Sequence, residues 1–199
     1  MRPTLSAAQS GDRTGMLEYA SRGLIGILTP QANTTAENEL SVLCPPGVGL
    51  MTARLTSNRP TIDERLVDYV LSMESTLDRF ANAPLRAVAF ACTGAAYLVD
   101  PATERAELEQ IEARRGYPIV TAANAVADAV AALGARRVGI VSPYGDHLHE
   151  RALRYWQKRG LGIAAVARIK SADDAFHPIY ALGASASAAS LGELNAAEL

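Results

Sequence analysis

The chain has two cysteines, and one of them, Cys92, stands where an apolar run stops and a Thr-Gly pair begins, in AFACTGAAYLVD. Thr93, Gly94 and Ala95 open a turn or helix whose backbone N–H groups would point toward the sulfur. Such a setting lowers a thiol's pKa and favours the thiolate, which is the nucleophile. The competing reading is a small buried apolar residue. Position alone does not separate the two.

Two other turns could bind an anion beside it. TPQANTT offers Asn33, Thr34 and Thr35 with open N–H groups at a helix start. SPYGDH offers Ser142, Tyr144 and Gly145, and Thr121 begins the helix TAANAV. Each turn taken singly is ordinary capping. Together with Cys92 they could converge on one anionic substrate. Cys44 reads as a packing residue. His147 and His149 lie two apart on different sides of a helix, which reads as solvated surface, and His177 reads as a loop or helix-start residue, so no metal site is expected.

These residues need strands and helices to hold them. RGLIGILTP, PPGVGLMTARL, LRAVAFAC, YPIV, RRVGIVSPY and LGIAAVARI read as strands. Thr34 and Glu37 have capping-box spacing, and residues 61–80 carry apolar side chains at steps of three and four. Asp100, Pro101 and Gly116 bound a helix, Gly134 ends an Ala-rich one, and GDHLHERALRYWQKRG is another, with Trp156 on its apolar face. The Ser/Ala-rich end also favours helix. Alternating strands and helices make an α/β fold with parallel sheets, whose ligands bind at the carboxyl ends of the strands.

The words GILTP and GIVSP stand 113 residues apart, and the elements after each keep the same order. This predicts two similar half-domains: a flexible leader over 1–21, a first half over 22–116 carrying Cys92, and a second over 117–199. Under that overlay the counterpart of Cys92 falls beyond Leu199, so a truncated second half is expected. The formal net charge of −2, the dispersed Lys and Arg and the few aromatics argue against a nucleic-acid partner. No apolar stretch is long enough for a membrane span and no secretory signal is visible, which leaves the cytoplasm as the expected compartment.

GILTPQANTTAENE, ACTG, VTAANAVADAVAALGARRVGIVSPY and PPGV resemble the Asp/Glu racemase superfamily, most closely its maleate cis-trans isomerase and arylmalonate decarboxylase branch. The resemblance runs from about Arg22 onward. It implies two Rossmann-like, flavodoxin-like half-domains related by a pseudo-twofold axis, with the second incomplete here, and no cofactor. It implies a small carboxylate substrate and leaves homo-oligomerisation open. Cys92 would be the nucleophile, Asn33 and Tyr144 would hold substrate carboxylates, and Thr34, Thr93, Gly94 and Thr121 would supply further hydrogen bonds. The arylmalonate decarboxylases place glycine where Cys92 stands, which argues against that activity. The expectation is therefore a cofactor-independent isomerase of a small dicarboxylate. An amino-acid racemase, a decarboxylase-like enzyme and an inactive carboxylate-binding form are the alternatives. A thiolate-prone Cys92 should label rapidly with iodoacetamide at neutral pH.

Overall fold

The computed structural model describes residues 17–169 and 179–196. In chain order the elements are β1 (Gly23–Pro30), α1 (Ala36–Leu43), β2 (Val48–Leu55), α2 (Ile62–Leu71), α3 (Met73–Leu77), β3 (Leu85–Phe90), α4 (Thr93–Ala96), α5 (Pro101–Arg115), β4 (Ile119–Thr121), α6 (Ala122–Ala132), β5 (Arg137–Ser142), α7 (Asp146–Lys158), β6 (Gly162–Arg168) and α8 (Ala184–Ala196). The strands form two parallel sheets, one of order β2-β1-β3-β4 and one pairing β5 with β6. Parallel neighbours require crossovers, and the intervening helices provide them.

The central strand β1 is apolar almost throughout because both of its faces are covered, and Ile27, Leu28 and Thr29 are fully buried. Leu28, Leu55, Leu66, Leu77, Val88 and Phe90 join Leu108 and Ile111 of α5 in the main core. Gly26 lets Phe80 and Leu85 close on the sheet, since a Cβ there would lie 3.0–3.1 Å from their side chains.

The repeat is visible in the register. β1 pairs Gly23 with Val48 and β5 pairs Arg137 with Gly162, the same separation of 25 residues in both sheets. A bulge after Val138 then moves the second pairing on by one, so that Ser142 faces Arg168 as Thr29 faces Arg54. Thr29 and Ser142 are both buried with hydroxyls that have no partner among the described residues.

Several expectations change. β4 hydrogen-bonds to β3, so the strand after Gly116 completes the first sheet rather than opening the second half. The leader expected over 1–21 lies outside the described residues up to Met16, whereas Leu17–Ser21 form a turn with Ala20 buried. The expected helix over 61–80 is broken at Ser72 and ends in a 3-10 turn, Asp78–Phe80. Thr61 and Glu64, not Thr34 and Glu37, make the capping box. The helical stretch expected from Asp174 lies largely outside the described residues; α8 begins at Ala184. Among the described residues no helix is long and apolar enough to cross a membrane.

The two sheets meet across α4, α5, α6 and α7. Tyr97 packs edge-on against Tyr144, Tyr155 and Trp156, with centroids 5.3–6.1 Å apart. Below it, Glu104 of α5 accepts hydrogen bonds from the Tyr155 hydroxyl (3.0 Å) and the Arg159 guanidinium (3.1 Å), and Arg159 also donates to Asn124 of α6 (2.5 Å). The Glu104 and Arg159 side chains are only 8% and 14% exposed. Removing one partner would strand a buried charge. Glu104→Ala should therefore lower the unfolding free energy by about 3–5 kcal/mol, whereas replacing both partners by apolar residues should cost far less. Urea titration of the single and double variants measures the difference.

Candidate functional site

A cavity of about 240 Å³ lies at the carboxyl ends of β1 and β3, lined in part by Asn33, Cys92, Thr93, Gly94 and Tyr144. Five of the residues expected from the sequence thus meet in one place. Thr34 and Thr121 do not line it. Thr34 is exposed, and its carbonyl accepts from the Asn38 amide. Thr121 is buried as the N-cap of α6, with its hydroxyl accepting from the Asn124 N–H at 3.1 Å. Capping satisfies the Thr121 hydroxyl without a ligand.

Cys92 follows β3 and precedes α4, and its side chain is buried. Burial pushes its thiol up to about 11, although the N–H groups of Ala95 and Gly94 are directed at the sulfur and pull the other way. The expected donors are present, but burial outweighs them, and the shift runs opposite to the lowered pKa expected from the sequence.

The Asn33 turn is also more committed than its sequence suggests. The Asn33 N–H donates to the Pro30 carbonyl, and Asn33 Oδ1 accepts from the N–H groups of Thr35 and Ala36, both at 2.9 Å. These N–H groups are already used. With Oδ1 engaged, the side-chain amide is the donor in the hydrogen bond to the Tyr180 phenol. Thr93 and Tyr144 join their hydroxyls at 3.0 Å, linking the two halves across the cavity. Burial raises the Tyr144, Tyr180 and Tyr69 phenols above their ordinary range, so all three stay protonated and able to donate.

Sequence reasoning missed several parts of this site. Ile62, Arg65, Leu66 and Tyr69 line the cavity from α2. Their i, i+3, i+4, i+7 spacing was available as a signal, but Arg65 and Tyr69 are amphipathic and do not read as an apolar face. Arg54 and Arg168 hold the two turns. Arg54 ends β2, donates to the carbonyls of Asn33 (2.5 Å) and Pro30 (3.3 Å), and pairs with Glu37 of α1. Arg168 ends β6, donates to the Tyr144 carbonyl (2.8 Å) and pairs with Asp146 of α7 (2.8 Å). The bulge that shifts β6 by one residue hides this correspondence from a fixed-offset overlay.

Among the other candidates, Trp156 is buried, and Cys44 is half-exposed at the end of α1, a helix with no buried residue. His147 is exposed and meets Asp63 of α2 at 2.5 Å. His149 is buried, contrary to the surface reading, and burial followed by the Arg168 charge lowers its pKa.

Two parallel sheets joined by crossover helices define an α/β protein of the Rossmann-like class. Residues 25–179 match the family model described as arylmalonate decarboxylase, and the chain belongs to that family. It is 24% identical over 150 residues to the maleate isomerase of Pseudomonas putida, covering 70% of this chain and 60% of that protein. It is 27% identical over 158 residues to the maleate isomerase of Nocardia farcinica, covering 75% and 63%. The chain thus spans about 60% of the length of the curated relatives it matches. The fold matches Nocardia farcinica maleate cis-trans isomerase bound to TRIS with a TM-score of 0.74, at 20% identity over 89% of this chain and 74% of that one. A cysteine-to-serine mutant of the same enzyme, with a covalently bound succinylcysteine intermediate, matches at 0.71, with 22% identity over 86% and 72%. Unliganded arylmalonate decarboxylase matches at 0.62, with 18% identity over 88% and 73%.

Alkylation kinetics test the state of Cys92. Labelling by iodoacetamide near pH 7, followed by peptide mass, should be slow at Cys92 and faster at half-exposed Cys44. The Cys92 rate should climb about tenfold per pH unit toward its pKa, since only the thiolate reacts. Rapid labelling of Cys92 at neutral pH would show that the N–H groups prevail over burial.

Proposed function

We propose that this chain provides the nucleophile-bearing site of a cofactor-independent isomerase acting on a small dicarboxylate of the maleate type. The observation that carries the reading is the placement of Cys92 in the cavity, with the Gly94 and Ala95 N–H groups on its sulfur. The Asn33 amide and the Tyr144 and Thr93 hydroxyls surround it. These groups suit carboxylate oxygens, because each presents a neutral donor that requires no counter-charge.

In this reading the Cys92 thiolate adds to one alkene carbon. An S–C bond forms, and the π electron pair moves onto the neighbouring carbon and its carboxylate. The former double bond is then single and can rotate. Return of the electron pair expels the thiolate and leaves the trans alkene, so no atom is gained or lost. The carboxylate donors stabilise the charge that develops during addition. With the thiol pushed up to about 11, the resting group is S–H; in this reading its proton passes to solvent as the thiolate forms and returns when the thiolate is expelled, so the cycle balances. The succinylcysteine of the Nocardia enzyme is the kind of adduct such an addition creates, which supports the reading.

Decarboxylation of an arylmalonate is the second reading, favoured by the family match. Racemisation of an acidic amino acid and binding without turnover stand behind it. NMR of the purified protein with maleate or phenylmalonate, and chiral chromatography with L-aspartate, separate the four: fumarate, phenylacetate, D-aspartate or no product. Fumarate is expected. Cys92→Ser should abolish its formation with the fold intact by circular dichroism. Tyr144→Phe, which loses one hydrogen bond to a charged group, should lower kcat/KM by about tenfold to a hundredfold. Undiminished turnover in Cys92→Ser would reject the nucleophile assignment.

A further inference from the structure

We infer that Arg65 is the specificity-determining cation of the cavity, recruiting the second anionic group of a two-ended anion whose first end meets Asn33, Thr93 and Tyr144. The inference rests on reading the cavity as a carboxylate site. Of the described side chains that line the cavity, Arg65 is the one that carries a charge. It also lines the wider groove outside, of about 690 Å³, which shares Ile62, Tyr144, Leu148 and Ile179 with the cavity. Arg65 therefore stands where the interior meets the surface.

Its guanidinium is aimed by backbone rather than by a carboxylate. Arg65 Nε donates to the Arg59 carbonyl at 2.7 Å and Nη2 to the Pro60 carbonyl at 3.0 Å. Carbonyls fix a guanidinium without neutralising it. Among the described residues Arg65 makes no ion pair, and the acidic groups nearby are already engaged. Asp63 meets His147, Asp68 meets Arg59 and the Ser57 hydroxyl, and Glu64 closes the capping box on Thr61. The positive charge reaches inward, where it opposes in small part the burial that raises the Tyr69 phenol. A guanidinium held in place with N–H groups to spare is matched in geometry and charge to a carboxylate. At the rim of an otherwise uncharged cavity, its main effects are on approach and on selection. An anion with one carboxylate would be drawn by Arg65 on approach but could not meet it and the inner donors at once. One with two would satisfy both.

The test uses two alkylating reagents of nearly equal size, iodoacetate and neutral iodoacetamide, with the product at Cys92 followed by peptide mass. Their rate ratio reads the preference of the cavity for a carboxylate and needs no turnover. The iodoacetate-to-iodoacetamide ratio should be higher at Cys92 than at Cys44. It should fall about tenfold in R65Q, stay largely intact in R65K, and shrink with added salt in the wild type. The iodoacetamide rate itself reports whether a variant has opened the cavity, because a general loosening would raise it. An unchanged ratio in R65Q would overturn the inference. Protection of Cys92 by succinate over butyrate, lost in R65Q, is the second expected result. Equal protection by both in the wild type would overturn selection by Arg65, whereas failure of Cys92→Ser to reduce turnover would count against the proposed chemistry alone.

Discussion

The grip of an arginine on backbone carbonyls is the interaction on which the site depends. Arg54 and Arg168 stand at equivalent places in the two sheets, opposite Thr29 and Ser142. Each reaches across to the turn that follows the neighbouring strand. A turn that must leave side-chain donors pointing into a cavity cannot bury itself in a core, and its carbonyls need partners elsewhere. A guanidinium supplies several donors in a fixed plane, so one residue can fix both the path of the turn and the start of the following helix. Arg54 does so through Glu37, and Arg168 through Asp146. Asn33 and Tyr144 owe their positions to these two residues as much as to the strands that carry them.

Cys92 shows how position and environment can oppose each other. The strand end aims two N–H groups at the sulfur, yet the same packing that excludes water keeps the proton on it. A buried neutral thiol is chemically quiet, which protects it from oxidants that reach an exposed thiolate. Reactivity then depends on what enters the cavity. The surrounding phenols follow the same logic, since burial keeps them neutral and makes them donors.

The legible parts of the sequence were those set by local periodicity and by repetition. The succession of strands and helices along the chain and the stops at Gly116 and Gly134 follow from apolar runs and turn residues, and the meeting of the Asn33 and Tyr144 turns with Cys92 from their places at strand ends; Thr93 and Gly94 were expected in the site through the family resemblance. Thr34 and Thr121 were misplaced because a polar residue at a helix start looks the same whether it caps a backbone or binds a ligand. The β4 strand was assigned to the wrong half because three residues carry no sign of which sheet they join; hydrogen bonding to β3 decides it. The grip of Arg54 and Arg168 on the two turns was invisible because the groups they hold there are carbonyls, and every residue has one. Tyr180 entered the site through a tertiary approach that no spacing encodes.

Helix α7 is fastened differently at its two ends. Arg159, just past its last turn, is held in the buried network with Glu104 and Asn124, while His147 in its first turn meets Asp63 at an exposed pair. Counter-ions hardly reach the buried network. About 18 Å of helix separates the two anchors. The helix is thus anchored in a buried network beyond its last turn and, at its first, by Asp146 and His147 at the surface. Tyr144 is thereby tied twice over, to Thr93 across the cavity and through Arg168 to the start of the helix that follows it.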